Sequence, residues 1–374
     1  MIFEEYLLIK YFMEVFLPIA EVQINVILIL FVSFVIGFLS GLFGVGGGFL
    51  MTPLLIFMGI PPIYAVANEA NNILASSSSG ALTHWFKKTL DIKIGFLIVI
   101  GGLAGTIIGI FTFSYFKNIG KIDIVIALAY MYVLAIIGSF MLRDGLAEIN
   151  MFKKKIIVKK KLHTHYWIHG LPFRMKFKTS KIYESALVPL ILGLIVGFVS
   201  AIMGVGGAFL MVPAMIYLIG MPTKLVPGTS LFVTIFVTGF VTISHAFTYH
   251  TIDLMLVLIL ITGSIIGVHS GQKIGQRLQG AQLKALLAVL MLSVGLLMAY
   301  ETFFKNKESE NASLKIPTDT IAEISDFGNS IYNLSNSYPV IYGVSSIFIA
   351  LFAGVAVSYI RRKISNKINS PKAI

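Results

Sequence analysis

Residues 37–53 read GFLSGLFGVGGGFLMTP, and residues 197–213 read GFVSAIMGVGGAFLMVP. Eleven of these seventeen positions are identical at a constant offset of 160. A Gly-x-Pro triplet follows both blocks, at 59–61 and 220–222, and a histidine and then an aspartate follow each triplet in the same order. A chance match between apolar helices would not reproduce glycines, prolines and charged residues in order. The chain therefore contains an internal repeat.

The composition predicts that both copies of the repeat lie in a membrane. Hydrophobic residues make up 57% of the chain and charged residues 12%, about half the charged share of a soluble domain. Residues 22–68, 185–223 and 327–360 contain no acid or base, and such stretches are long enough to cross the hydrocarbon core. The prediction is an all-α polytopic protein of the cytoplasmic membrane. The absence of cysteine excludes disulfides and thiol catalysis.

Each half divides into five apolar pieces, of which the second is short. The second pieces, about 46–60 and 206–221, begin in a glycine cluster and end at Gly-x-Pro. Glycine and proline weaken a helix interior, so these pieces predict short or broken helices. A last apolar span has no counterpart in the repeat and predicts one extra C-terminal transmembrane helix. The other pieces lie at about 22–44, 62–86, 94–116 and 122–143, and at about 185–204, 223–248, 254–272 and 283–303.

The net charge of +12 is concentrated in loops, where it predicts topology rather than nucleic-acid binding. Residues 150–183 carry ten Lys or Arg and no acid, whereas residues 304–338 carry more acids than bases. The first loop is therefore predicted to be cytoplasmic and the second external, which makes the two halves inverted-topology repeats. The predicted order is an external N-terminal segment 1–21, transmembrane repeat 22–145, basic cytoplasmic loop 146–184, transmembrane repeat 185–304, polar external loop 305–338, extra transmembrane helix 339–360 and basic cytoplasmic tail 361–374.

Inverted repeats with interrupted helices are typical of secondary transporters, which work by alternating access. The glycine clusters stand before the short helices, where unpaired backbone N–H groups carry partial positive charge and can bind an anion. The alternative is close helix packing, for which small residues are also used in membranes. The candidate substrate-binding glycines are Gly44, Gly46, Gly47, Gly48, Gly204, Gly206 and Gly207.

The paired glycine blocks, together with Pro227–Ser230 and with His84 and His245 ahead of Asp91 and Asp253, resemble the sulfite exporter TauE/SafE family. The resemblance implies a transmembrane carrier of sulfur-containing anions such as sulfite or an organosulfonate. The chain departs from the family pattern in its first half, where Ala67-Asn68-Glu69 stands in the place of Gly228-Thr229-Ser230. The C-terminal extension is a second departure.

Glu69 is the only acid between residues 22 and 90. A carboxylate within a membrane is costly and is expected to face a cavity or a partner, where it could carry a proton. Glu69 is therefore the proton-coupling candidate, and the alternative is an interfacial residue near a helix start. Asn68, Asn71, Thr229 and Ser230 are predicted to donate to the anion, or else to hydrogen-bond neighbouring helices.

His84 and His245 are secondary candidates, because a histidine attracts anions or titrates near neutral pH. The alternative for both is a position at the membrane interface. Asp91 and Asp253 are predicted to cap the helices that follow them. His163, His165 and His169 form a cluster in the basic loop that lacks Cys and acids, so no metal site is predicted there.

The sequence thus predicts a secondary transporter of a small anion, without catalytic residues, cofactor or metal. A small-anion channel, a structural membrane subunit and an intramembrane enzyme are the alternatives. Within the spans no nucleophile–base pair and no zinc-type motif supports an enzyme, and no nucleotide-binding loop supports ATP-driven pumping. The expected partners are the small anionic substrate and the lipid bilayer, with no nucleic acid, and a homo-oligomer is left open.

Overall fold

The computed structural model of the chain describes residues 14–43, 48–153, 172–275, 280–300, 302–303 and 326–369. The first half comprises β1 (Glu14–Leu17), β2 (Val22–Asn25), α1 (Val26–Phe43), α2 (Gly48–Phe57), α3 (Pro62–Phe86), α4 (Ile92–Asn118) and α5 (Ile122–Lys153). The second half comprises β3 (Arg174–Phe177), β4 (Ile182–Ser185), α6 (Leu187–Met203), α7 (Ala208–Tyr217), α8 (Val226–Tyr249), α9 (Leu254–Gly275) and α10 (Gly280–Tyr300). Two further helices follow, α11 (Asp326–Ser337) and α12 (Pro339–Asn369).

The fold is that of an all-α polytopic membrane protein. Six helices of the described part are long and apolar enough to cross a membrane. They are α1, α4, α8, most of α5 and α9, and the first part of α12. The short-helix prediction is confirmed as well, because α2 and α7 have 10 residues each and each contains a proline.

The two halves pack reciprocally, because the helices other than the short α2 and α7 have their main partners in the other half. Helix α4 packs along α6 and α9 along α1, while α3 packs on α8 and α5 on α10. Matching glycines allow the close approach. A Cβ added at Gly105 would overlap the backbone of Leu194, and one added at the matching Gly267 would overlap the backbone of Phe34. Small residues at such positions let membrane helices approach closely. The inversion of the halves across the bilayer stays a prediction of the loop charges.

Each half begins with a two-stranded antiparallel hairpin that the sequence analysis did not predict. Strand β1 pairs with β2, and β3 pairs with β4. The apolar pieces predicted at 22–44 and 185–204 therefore begin with strand residues, and their helices start only at Val26 and Leu187. Strands of four residues are too short for their alternation of side chains to stand out beside a long apolar helix.

Asp91 and Asp253 hold each hairpin on the opposite half. Asp253 Oδ2 accepts from the N–H of Ile19 in the β1–β2 turn, at 2.9 Å. Asp91 Oδ2 accepts from the N–H and the hydroxyl of Ser180 in the β3–β4 turn, at 3.0 and 2.6 Å. The hairpin of the first half is thus fixed to the second half, and the hairpin of the second half is fixed to the first.

The other carboxylate oxygen of each aspartate caps a helix, as predicted. Asp91 Oδ1 accepts from the N–H groups of Lys93 and Ile94 at the start of α4. Asp253 Oδ1 accepts from Met255 and Leu256 at the start of α9. Burial raises the pKa of Asp253, and hydrogen bonds from four backbone N–H groups oppose that rise.

Helix α12, the extra C-terminal helix, packs along α3. Asn71 Nδ2 donates to the Ser346 hydroxyl, and the Ser358 hydroxyl donates to the Ser79 carbonyl at 2.9 Å. Arg362 then lies over the Phe86 ring, 4.1 Å from its centroid. The residue numbers of both helices rise together, so the helices are parallel and cross in the same direction. This agrees with the predicted orientation, which places Lys87 and the basic tail on the same side.

Helices extend past three of the predicted membrane and loop boundaries, and those boundaries themselves stay predictions. Helix α12 continues to Asn369 instead of ending at 360, and α5 continues to Lys153, inside the predicted loop 146–184. The predicted external loop 305–338 contains α11. Charged residues mark where a chain leaves the membrane, but they are good helix formers and do not end a helix.

Candidate functional site

A small polar cavity lies between α1, α2 and α3 of the first half and α9 of the second. Its volume is about 10 Å³, close to the room that one water molecule needs. The cavity is therefore built where the two halves meet. Its polar lining consists of Ser33, Ser40, Glu69, Asn72, Ser76 and Ser264.

Glu69 lies inside the helix bundle. Its side chain is 1% exposed and lines the cavity, as expected of a carboxylate that faces a cavity, while its depth in the bilayer stays a prediction. Asn72 Nδ2 donates to Glu69 Oε2 at 3.0 Å, and the Ser264 hydroxyl donates to Asn72 Oδ1 at 2.5 Å. Asn72 and Ser264, the two side chains that follow Glu69 in this chain of hydrogen bonds, are both neutral. A buried carboxylate beside neutral partners is costly when charged, and binding of a proton removes that cost.

The polar face of α3 continues from Glu69 along the helix. Ser76 lies two turns after Glu69, and Gly80 one turn further, so these positions share one helix face. A second cavity of about 10 Å³ shares Ser76 with the first and reaches Gly80 and Gln272. The polar face therefore extends from Glu69 toward the C-terminal ends of α3 and α9, near Lys87 and Lys273.

The matching place in the other half is apolar. At the repeat offset, Asn72 corresponds to Val233 and Ser76 to Val237, and both valines are fully buried. Val237 packs directly against Gly102, which corresponds to Ser264. The two halves have thus diverged at this point. In the described residues, the polar cavity occupies one of the two symmetry-related places and valine side chains fill the other.

The glycine clusters are described in part. Gly44, Gly46 and Gly47 lie outside the described residues. Gly204, Gly206 and Gly207 are buried and have φ angles of +69°, +67° and +68°, a conformation that glycine adopts at little cost.

Packing also requires small residues here. A Cβ at Gly204 would overlap the Val66 backbone, and one at Gly207 would overlap the Val196 side chain. The packing interpretation therefore accounts for these glycines without a ligand, while their role in anion binding stays a prediction.

The two short helices start next to each other, as the sequence analysis expected of two facing helix ends. The rings of Phe49 and Phe209, one residue into α2 and α7, have centroids 5.7 Å apart. The Ile73 side chain lies against both Gly48 and Gly206. Ile73 follows Glu69 by one turn of α3, so the helix starts adjoin the polar cavity.

Asn68 and Thr229 occupy matching positions and make matching contacts. Asn68 Oδ1 accepts from the Asp253 N–H at 2.7 Å, and Thr229 Oγ1 accepts from the Asp91 N–H at 3.0 Å. Asn71 bonds Ser346, as described above, and the Ser230 hydroxyl donates to the Pro227 carbonyl at 3.0 Å. The contacts of Asn68, Asn71 and Thr229 correspond to the structural alternative, since these side chains bind neighbouring segments, whereas Ser230 bonds within its own helix.

The two histidines occupy different environments. His84 is half-buried at the end of α3 and its Nδ1 lies 2.8 Å from the Thr89 hydroxyl. His245 is fully buried, with Nε2 3.3 Å from the Ala201 carbonyl and its ring against Phe113. His245 is thus enclosed by protein, and its depth in the bilayer stays a prediction. The histidines of the basic loop, His163, His165 and His169, lie outside the described residues.

Asn72, Ser33 and Ser264 are site residues that the sequence analysis did not select. Two of them carry a recognisable signal, because Asn72 and Ser264 differ in polarity from their repeat partners Val233 and Gly102. Positions where one repeat is polar and the other is not are therefore informative. Ser33 gives no such signal, since its place in the cavity depends on the packing of α1 against α9.

Comparison with known proteins supports the assignment of the fold to a transporter. The sequence profile of the sulfite exporter TauE/SafE family matches residues 29–298, so α11 and α12 lie beyond the match. The "Probable membrane transporter protein YunE" of Bacillus subtilis is 25% identical over 286 residues, 74% of this chain and 98% of that protein. The "Probable membrane transporter protein YjnA" of the same organism is 28% identical over 274 residues, 72% of this chain and 97% of that protein.

A shorter similarity links the chain to a plant protein. The "Sulfite exporter TauE/SafE family protein 5" of Arabidopsis thaliana is 40% identical over 52 residues, 14% of this chain and 12% of that protein. No solved structure matches the chain. The profile match covers most of the chain, and the helices are those of a multi-pass membrane transporter. The chain therefore belongs to the sulfite exporter TauE/SafE family.

Proposed function

We propose that the protein is a secondary carrier that moves a small anion by alternating access and couples this movement to a proton on Glu69. The observation that carries the proposal is the burial of Glu69 in a polar cavity formed by helices of both halves. A site between the halves changes its access when one half moves against the other. The family to which the chain belongs suggests sulfite or an organosulfonate as the substrate class.

The anion is proposed to bind where α2 and α7 begin. Unpaired N–H groups at helix starts attract negative charge, and here two helix starts adjoin, as the Phe49–Phe209 contact shows. Such a site needs no buried Lys or Arg. The proposed site relies on these backbone groups rather than on Asn68, Asn71, Thr229 and Ser230, whose side chains hydrogen-bond other protein groups.

Coupling follows from the proximity of Glu69 to these helix starts. Ile73 touches both glycine clusters and lies one turn from Glu69. A charged Glu69 would repel an anion nearby, whereas a protonated Glu69 would not. Proton and anion therefore favour each other's binding, and the two travel together.

The size of the cavity fits a carrier that is closed on both sides. A volume of about 10 Å³ holds about one water molecule, which is less than a sulfur oxyanion requires. The helices around the cavity must therefore move before an anion passes. A channel would instead conduct through a continuous opening.

Flux measurements with purified protein in liposomes test the proposal. Uptake of labelled sulfite, sulfate and methanesulfonate is measured with and without an inward proton gradient. A carrier saturates with substrate and concentrates it when the gradient is imposed. Flux that does not saturate and cannot be driven uphill would indicate a channel, and the absence of flux for every anion would contradict the proposal.

A further inference from the structure

The two hairpins, one at the start of each half, have the same construction. Each has two strands of four residues joined by a four-residue turn. The last turn residue, Glu21 or Lys181, has a positive φ of +53° or +55°. Both turns are held by an aspartate of the opposite half. The pair therefore offers a comparison in which the backbone is constant and only the side chains differ.

The side chains of the hairpins carry opposite charge. Residues 14–25 contain Glu14 and Glu21 and no Lys or Arg. Residues 174–185 contain one acid, Glu184, and four bases, all four of which are exposed. The bases are Arg174, Lys176, Lys178 and Lys181. The fold does not require this charge, because the first hairpin forms without it.

Exposed apolar side chains stand among these bases. Phe173 is 74% exposed, Tyr183 59% and Met175 44%. Bases mixed with aromatic and other apolar side chains suit the headgroup region of a bilayer, where the charges meet phosphates and the rings enter the acyl boundary. A water-facing loop would gain nothing from a large exposed phenyl ring.

The position of the β3–β4 hairpin places these side chains at the membrane border. The hairpin ends at Ser185, and the apolar helix α6 begins at Leu187. Ser180 binds Asp91 at the start of α4, and that helix exposes Phe96 on its second turn by 58%. The basic surface therefore adjoins the apolar surface that faces lipid.

We propose that the β3–β4 hairpin is a binding site for the headgroups of anionic phospholipids in the cytoplasmic leaflet. Each Lys or Arg near an anionic surface contributes about 1 kcal/mol, and the effect is screened by salt. Headgroup binding also bears on the transport helices, because the hairpin turn holds Asp91, whose N–H bonds Thr229 on α8. The proposal needs the predicted orientation only for the choice of leaflet and does not depend on the transported substrate.

Lipid retention tests the site without a transport measurement. The purified protein is incubated in mixed micelles with equal amounts of phosphatidylglycerol and phosphatidylcholine, washed, and its retained lipids are quantified by mass spectrometry. We expect the native chain to retain phosphatidylglycerol at least about fivefold over phosphatidylcholine, the factor for one retained basic contact. Replacement of all four bases by Gln should lower this ratio, since the six other bases of residues 150–183 are the same in both proteins, and 0.5 M salt should reduce the preference of the native chain.

The other hairpin supplies the matched control. The Glu14→Gln/Glu21→Gln variant changes charge on the same backbone and should keep the native ratio. Size-exclusion profiles and melting temperatures establish that both variants are folded, and the exposed Lys178→Gln change alone should give an intermediate ratio. An unchanged preference in the four-base variant would overturn the proposal. Equal retention of both lipids by the native chain would overturn it too, and would instead direct attention to an acidic protein partner.

Discussion

Asp253→Ala is expected to release the β1–β2 hairpin and to leave the other hairpin in place. The carboxylate accepts four backbone N–H bonds, two from the turn at Ile19 and Ala20 and two at the start of α9. Two of these, from Ile19 at 2.9 Å and Met255 at 3.1 Å, are short. A hydrogen bond to a charged group contributes roughly 1.5–3 kcal/mol, and loss of a helix cap costs about 1 kcal/mol. Allowing for overlap, the variant should lose about 2–4 kcal/mol of stability.

The loss is measured by thermal unfolding in detergent at a fixed scan rate, since unfolding of such proteins is often irreversible. For a chain of this length, that loss of stability corresponds to a melting temperature lower by roughly 3–5 °C. Asp91 is the matched position, and Asp91→Ala should cause a similar loss because it breaks an equivalent set of bonds.

Amide hydrogen exchange separates the two variants. In Asp253→Ala, exchange should rise at residues 19–21 and remain unchanged at residues 178–181, and Asp91→Ala should give the reverse. Faster exchange at the same turn in both variants, or at neither turn, would refute the reciprocal docking of the hairpins.

Three further predictions concern the extra helix, the glycine cluster and the topology. Gly354→Leu should lower the melting temperature, because a side chain there meets the backbone of Ala75, whereas Phe352→Leu at a site 76% exposed should not. Gly207→Val should abolish anion uptake, since its φ of +68° and the adjacent Val196 leave no room for a side chain. Anion uptake by a well-folded Gly207→Val variant would exclude this glycine cluster from anion binding. In intact cells, an impermeant maleimide should label Ser309→Cys and not Thr164→Cys, and the reverse would refute the inverted arrangement.

The repeated block was enough to predict the short helices, because its glycines and its proline act through local backbone geometry. The same holds for the caps at Asp91 and Asp253, where an acid follows one apolar piece and precedes the next. The short helices and the aspartate caps are determined by residues close together in the sequence, so they do not depend on which helices pack together.

The partners of Glu69 depend on packing between distant segments and could not be predicted. Ser264 is brought to Asn72 by the packing of α9 on α3, across 192 positions of sequence. The run Ser76–Ser79 is polar on several sides of α3. The sequence therefore does not show that Ser76 faces the cavity while Ser79 faces α12.

The extra helix illustrates the same limit. Its length and hydropathy predicted a span, but its partner did not follow from them. Its contacts with α3 at Ser346, Gly354 and Ser358 are spaced by eight and four residues, so they share one helix face. Small residues at that spacing are also common on helix faces that contact other partners.

Transport by Glu69→Gln tests the central claim most directly. The variant and the native chain are reconstituted in liposomes, and uptake of labelled anion is recorded together with internal pH, under an inward proton gradient and under anion exchange without one. The native chain should concentrate the anion and acidify the interior. Glu21→Gln, a change at an exposed acid, serves as the control and should behave like the native chain. Glu69→Gln should keep exchange, because the amide is permanently neutral, and should lose both accumulation and proton movement. Accumulation by Glu69→Gln with an unchanged dependence on external pH would contradict the account.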